Sequence, residues 1–508
     1  MSTAPAPGPA GNGTIDTQLS RGAIGLPAVV MQALTHVAPA AGAIVTVQFI
    51  AQLVGLTTPL AFLIAFLICL MLAASLTQLA KHLPSAGGYY TYVSRTVGPR
   101  AGFMTAWMYF LYDPIQGGMN LAFAGFFMNS VLGTLYGVSA PWLWPITLLV
   151  GTILITFLMY RGIQLSGKVL VILGMVEILI FVALALSGFV HSGSGGVSLS
   201  VFNPANKLPN GGSMFLAVVF SIFAFTGFEA CVPLAEEARL PTRNIPRAIM
   251  ISIIVGGLFY VFVSWGVISG WGSAGLSSFE SSSANPIVLV AKQLWGGLAV
   301  LVLLAYLNSI FGACFAGNNA ASRVFFGMGR SRALPEALGK VGGQARTPTN
   351  AITLQAFLTL AVGFGMSLLL GPANQLYLLA TVITLGLSLV YIAGNVGVMS
   401  YYLRERRSEL NWLLHIIFPV ASSIAIVVVC YKSVVPLPAW PVNLAPFITA
   451  GWVVLGLIVV AVLSRSGRAA WLTRAGDVLA TSDAGPAEGV AHHGTARPLP
   501  ADPAGEAP

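Results

Sequence analysis

Twelve stretches of this chain stay apolar for about twenty residues or more, the length at which a helix rising about 1.5 Å per residue crosses roughly 30 Å of hydrocarbon. They lie near 24–55, 57–80, 100–132, 141–160, 165–190, 212–238, 246–271, 296–328, 349–370, 374–402, 412–432 and 444–464. A chain with so many such runs does not fold around a water-facing core. Its composition agrees: 56% of the 508 residues are hydrophobic and 8% are charged, too few charges to coat a soluble protein of this size. The sequence predicts an all-α, multi-pass integral membrane protein embedded in a lipid bilayer.

The basic residues set the expected orientation. With the N-terminus in the cytoplasm, only Lys207, Lys292 and Lys432 of the 24 Lys and Arg fall in outer loops. That is the bias expected of cytoplasmic loops. A miscounted span would scramble this pattern, so both termini are expected inside a cytoplasmic (inner) membrane. The net charge of +9 then reflects topology and does not call for nucleic acid. Cys69, Cys231, Cys314 and Cys430 all sit in apolar runs without CxxC spacing and read as small buried hydrophobes, neither disulfides nor metal ligands. Residues 1–21 form an expected cytoplasmic tail without the basic start of a targeting segment. Residues 22–465 carry the membrane domain, and 466–508, rich in Ala, Gly and Pro, read as a disordered cytoplasmic tail. The oligomeric state has no signature in the sequence.

Two spans contain helix-weakening residues. The first reads His36-Val37-Ala38-Pro39-Ala40-Ala41-Gly42, and the sixth reads Phe225-Thr226-Gly227-Phe228-Glu229 with Pro233 beyond. Proline lacks a backbone donor and glycine weakens helix continuity, so both helices are expected to open there. Isolated residues of this kind often only kink a membrane helix, but these two segments lie five helices apart. Discontinuous helices at matching places in two halves point to an inverted repeat with a binding site at mid-membrane. Lys81–Arg95, between spans 2 and 3, and Ser283–Gly296, between spans 7 and 8, are similar amphipathic stretches on opposite faces. Inversion through five helices exchanges those two places. The halves are expected near 22–190 and 212–402, with two further helices at 412–464.

Three motifs carry a resemblance. FAFTGFEACVPLAEEARLPTRNIPRAI (Phe223–Ile249) is similar to the helix-6 signature of the amino acid–polyamine–organocation permeases. LPSAGGYYTYV (Leu83–Val93) and ASRVFFGMGRSRALPEALGKVGGQARTP (Ala321–Pro348) resemble that family's loop motifs after helices 2 and 8. The resemblance spans roughly residues 22–465. It implies a five-plus-five inverted repeat of the leucine-transporter type plus two peripheral helices. It also implies proton- or sodium-coupled uptake, or exchange, of amino acids or of polyamines and other organic amines. The chain departs from the family in helix 1, where HVAPAAGA replaces a glycine-rich run.

Ionisable groups at membrane depth are functional candidates by default, and Asp113, Glu177, Glu229 and His36 are those found deep in apolar runs. Glu229 sits where the sixth helix is expected to open. It reads either as a cap on the second half-helix or as a gate or proton acceptor beside the substrate. By the resemblance, Glu177 takes the place of a membrane-embedded lysine. It reads as a proton carrier, a sodium ligand, or a neutral acid bonded to a neighbouring helix. The matching run Phe311–Ala316 offers no Ser or Thr hydroxyl, which favours the proton. Asp113 reads as a partner for a substrate ammonium, which would favour amines, or as a kink-stabilising partner for a tyrosine. His36 reads as a structural residue. Ala38, Pro39, Ala40, Ala41 and Gly42, with Phe225, Thr226, Gly227 and Phe228, are the expected substrate wall. Free N–H groups at the starts of the second half-helices are expected to hold a substrate carboxylate. Glu236, Glu237, Arg239, Arg243 and Arg247 form either a solvated rim or ion pairs closing the inner gate. Nothing calls for a cofactor beyond a coupling ion. The scattered histidines, and the lack of H-E-x-x-H and G-x-S-x-G, speak against an enzyme. The apolar helices leave no continuous polar path for a channel.

Overall fold

A computed structural model describes residues 18–206, 214–275, 278–279, 282, 284–343 and 345–465. Residues 1–17 of the expected N-terminal tail and the whole of 466–508 lie outside these described residues. Helices account for nearly all of the rest, and the only β pairing among the described residues is two isolated bridges, Ile24 with Ala238 and Gly342 with Thr347.

The helices run α1 Leu26–Val37, α2 Pro39–Val54, α3 Thr58–Ala80, α4 Tyr89–Thr96, α5 Pro99–Tyr109, α6 Asp113–Tyr136, α7 Leu143–Tyr160, α8 Ile163–Val190, α9 Met214–Phe223, α10 Pro241–Trp271, α11 Pro286–Trp295, α12 Val300–Arg330, α13 Thr349–Leu370, α14 Pro372–Arg404, α15 Phe418–Val434 and α16 Ala445–Arg465. Proline marks many of these starts. Pro39, Pro99, Pro241, Pro286 and Pro372 each stand at the first turn, where the missing N–H would have had no helical partner. Among the described residues, ten segments are long and apolar enough to cross a membrane. The first of these, Leu26–Ala80, contains two passes. Its start pairs with residue 237 (Ile24 N–H to Glu237 O, 3.1 Å), and the chain just beyond its end meets residue 236 (Ala86 N–H to Glu236 Oε1, 3.1 Å). Both ends therefore lie on one face, here called the N-terminal face. Met214–Phe223 is apolar but shorter and belongs to the sixth pass. Splitting Leu26–Ala80 into its two passes and adding the sixth pass recovers the twelve expected from the sequence.

Close packing rests on small residues. At the α8–α10 crossing a Cβ on Gly188 would stand 2.1 Å from the Gly266 carbonyl oxygen, so the two backbones touch and only glycine fits.

Four sequence expectations need correction. The third span, expected unbroken over 100–132, is interrupted at 110–112, so Asp113 opens α6 with Pro114 behind it. Turn hydrogen bonds from Tyr109 to Gln116 replace the helical ladder there. The sixth span, expected to resume as a second half-helix, instead continues through turns and one short 3-10 segment, Val232–Leu234. Glycine at positive φ (Gly227) and Pro233 stop α-helix from re-forming. The seventh span begins at Pro241 rather than near 246, with Pro246 inside it. In the first span the opening over 38–42 contracts to one residue, Ala38, at φ 53° and ψ 63°.

The paired amphipathic stretches appear where expected. Helix α4 packs at the N-terminal face. On the opposite face, α11 is tied down by Asn285 Nδ2 donating to Ile44 O (2.9 Å) and Lys292 Nζ donating to Thr134 O (3.1 Å).

Candidate functional site

The two interruptions meet. A Cβ on Gly227 would stand 2.5 Å from His36 Cδ2 and 3.1 Å from His36 O, so the sixth span lies directly on the end of α1. Around this contact the chain gathers groups that a membrane interior normally excludes.

His36, fully buried, is the hub. Its Nδ1 faces the carbonyl of Ala313 on α12 at 3.1 Å. A carbonyl only accepts, so Nδ1 carries a proton. Its Nε2 faces two groups: the Tyr112 hydroxyl at 2.8 Å and Asp113 Oδ1 at 2.9 Å. An unprotonated Nε2 beside an ionised carboxylate would set two lone pairs against each other. A proton therefore resides between His36 and Asp113, on the ring or on the acid. The other Asp113 oxygen accepts from the Tyr109 hydroxyl. Tyr109 lies four residues before Asp113, so the break between α5 and α6 turns both side chains onto one spot.

Glu229 lies alongside, 3% exposed. Its Oε2 accepts the Gly227 N–H at 3.2 Å, while its Oε1 has no hydrogen-bond partner. The Tyr112 and Tyr391 hydroxyls stand beside this carboxylate. Glu229 thus holds the turn at Gly227 and caps no half-helix, because none forms there.

A cavity lies beside the acids and reaches toward the N-terminal face as far as Gly87 and Gly88. Asp113 and Glu229 are its acidic residues, Tyr89, Tyr90 and Tyr109 its aromatic ones, and neither Lys nor Arg lines it. Burial pushes the Tyr90 phenol up to about 12 and the Tyr89 phenol well above its ordinary value, so both rings present neutral hydroxyls. The free space, ≈ 20 Å³, holds a water molecule and nothing as large as an amino acid. This is a closed conformation.

Glu177, 1% exposed, stands apart on α8. Its Oε2 accepts the Ala40 N–H at 3.3 Å, and the neighbouring Ala41 N–H donates to Ser309 Oγ at 3.2 Å. The Ser309 hydroxyl in turn bonds the Glu177 carboxyl group. The Gly42 N–H closes on Ala38 O at 2.7 Å, and Pro39 has no N–H. Every donor in the first turn of α2 is therefore engaged by the chain itself. This overturns the expectation of free N–H groups there. Phe311–Ala316 offers no hydroxyl, as expected, but Ser309, two residues earlier on α12, supplies one at this level.

The remaining expected wall residues divide. Ala38, Pro39, Ala40 and Ala41 form the break, and Gly42 lies under the Tyr260 hydroxyl, which itself bonds Val37 O at 3.3 Å. Phe225, Thr226 and Phe228 line a second, separate cavity beside Cys69 and Thr384. Phe228 stacks on Tyr391 and Phe225 packs edge-on to Tyr260.

Ion pairs do close the N-terminal face, but not within the expected cluster. Glu237 is gripped by Arg323 at two points (Nε–Oε2 2.9 Å and Nη2–Oε1 3.2 Å), both residues being 1% exposed. Glu236 is gripped by Arg330 (Nη1–Oε2 2.9 Å and Nη2–Oε1 2.5 Å). Both arginines come from α12. Arg239 instead donates to Gly22 O at 3.0 Å.

Sequence reasoning placed Asp113 and Glu229 correctly at depth. It missed His36 as the partner of Asp113, and it missed Tyr112, Tyr391, Ser309 and Arg323. Tyr109 was within reach through its i–4 spacing from Asp113. The others come together only in three dimensions.

The amino acid permease family model matches residues 28–472. The branched-chain amino acid permease BcaP of Bacillus subtilis is 28% identical over 439 residues, covering 81% of this chain and 86% of its own. The low-affinity putrescine importer PlaP of Escherichia coli is 24% identical over 369 residues, covering 70% and 76%. The gamma-aminobutyric acid permease of Escherichia coli is 25% identical over 319 residues, covering 60% and 66%.

Proposed function

This chain belongs to the amino acid permease family and transports amino acids or amines across a membrane, and on that premise we propose a proton-coupled importer working by alternating access. The observation that carries this reading is the meeting of two interrupted spans at a buried His36–Asp113–Glu229 cluster. The cluster opens by a narrow cavity toward one membrane face and is shut off by ion pairs at that same face. A buried polar centre shut from one membrane face by ion pairs that can separate is one state of an alternating-access cycle.

The N-terminal face is the cytoplasmic one on this reading, because the basic loops collect there. The Glu237–Arg323 and Glu236–Arg330 pairs are the inner gate. They tie α12 to the chain just past the sixth-span break, so release of substrate inward separates the two.

Protons suit Glu177 better than sodium does. The groups aimed at its carboxyl are the Ala40 N–H and the Ser309 hydroxyl, set at the partly positive start of α2. Sodium needs a shell of oxygen acceptors, and backbone donors repel it. An ionised Glu177 holds α2 by charge-assisted bonds. Protonation weakens that hold and frees α2 to tilt, which links proton binding to the movement that opens the outer side.

Reconstitution into proteoliposomes tests the coupling. An inward-directed pH gradient is expected to drive uptake above equilibrium, and Glu177→Gln is expected to abolish that accumulation while exchange persists. Accumulation driven by a sodium gradient and indifferent to pH would overturn the proton assignment.

A further inference from the structure

An α-amino acid offers an ammonium and a carboxylate, and interrupted helices bind such a zwitterion by presenting bare N–H groups to the carboxylate. Here donors at both places are taken by side chains of the chain itself, two of them carboxylates. At the start of α2, the Ala40 N–H is held by Glu177, and the Ala41 N–H by Ser309. In the sixth-span turn, the Gly227 N–H is held by Glu229. A substrate carboxylate arriving at either place would meet a resident acid rather than a donor.

The cavity wall carries the complementary sign. Glu229 Oε1 is buried and makes no hydrogen bond, the Tyr112 and Tyr391 hydroxyls stand beside the same carboxylate, and Glu229 and Asp113 both line the cavity. The cations nearby are committed: His36 to Asp113, and Arg323, by a bidentate grip, to Glu237. The aromatic faces of Tyr89, Tyr90 and Tyr109 complete the lining, and such faces attract ammonium groups. An acidic, aromatic, arginine-free cavity matches a cation and repels an anion.

Resting on the transporter reading above, we propose that the substrate is an organic amine lacking an α-carboxylate, its ammonium bound by Glu229 Oε1.

Ligand pairs that differ only in the carboxylate test this: 1,4-diaminobutane against ornithine, agmatine against arginine, 3-methylbutylamine against leucine, and phenethylamine against phenylalanine. Binding of each is read by thermal stabilisation of the purified full-length protein, and transport by counterflow in proteoliposomes. The amine is expected to bind at least 10-fold more tightly than its amino acid in at least one pair, with counterflow to match. Glu229→Gln is expected to weaken that amine at least 10-fold. Glu177→Gln is expected to narrow the preference, because a neutral amide no longer repels a carboxylate at the start of α2. If the amino acid is the tighter member of every pair that binds, the amine assignment falls while the transporter reading stands. If no member binds or exchanges, both fall. An amine preference unchanged in a folded Glu229→Gln protein also overturns the proposal.

Discussion

At the scale of single residues, the site is a set of charges that need one another. His36 and Asp113 are each fully buried and 2.9 Å apart, and removing one partner of such a pair leaves the other charge without compensation in a low dielectric. Such losses run to about 3–5 kcal/mol. His36→Asn is therefore expected to destabilise the detergent-solubilised protein by that order, and Asp113→Asn similarly. The double variant should lose far less than the sum of the two, because it leaves no orphaned charge. Thermal unfolding of the four proteins measures this. Simple additivity would mean that the ring and the carboxyl group do not share a proton. Glu177 and Glu229 differ from this pair because their hydrogen-bond partners are neutral N–H and O–H donors, so replacing the acid leaves no unpaired charge on a partner. That is why replacing these acids is expected to change ligand preference and coupling ahead of stability.

At the scale of elements, three spans carry the function by failing to be continuous helices. Two of those failures were legible in the sequence, since Pro39 with Gly42 and Gly227 with Pro233 are local signals. The third, at 110–112, had only Pro114 to mark it, and a proline at the first turn of a helix looks the same in sequence as one that kinks a continuous helix. The partners of the gate acids were illegible for a different reason. Glu237 and Glu236 sit within reach of Arg239, Arg243 and Arg247 along the chain, yet they bind Arg323 and Arg330 respectively, 86 and 94 residues away, because α12 packs across the sixth-span break. The two gate pairs differ in burial, with Arg330 exposed enough to exchange with water. Releasing the outer pair is expected to loosen the gate without unfolding it. In a background with the four native cysteines replaced, Glu236→Gln should raise the labelling rate of Val324→Cys by a small thiol reagent several-fold, since Val324 lines the cavity beneath. An unchanged rate would show that this pair is no gate.

At the scale of the whole molecule, the number of spans, the interruptions five helices apart and the family were all readable from apolar length, from Pro and Gly, and from three loop motifs. The sign and filling of the binding place were not. Whether a backbone N–H is free or already held by a glutamate depends on where α8 and α12 lie against α2, and no local pattern encodes that. The same long-range packing makes the molecule selective: at the start of α2 and in the turn at Gly227, backbone donors are held by Glu177, Ser309 and Glu229, and Glu229 also lines a tyrosine-rich cavity. The most direct test is a structure of the protein in lipid nanodiscs with an amine from the pairs above. Ligand density is expected in the cavity lined by Tyr89, Tyr109, Asp113 and Glu229, with its nitrogen about 2.7–3.2 Å from a Glu229 carboxylate oxygen. Ligand density in the second cavity, beside Cys69, Phe225 and Thr384, with Glu229 untouched, would contradict it.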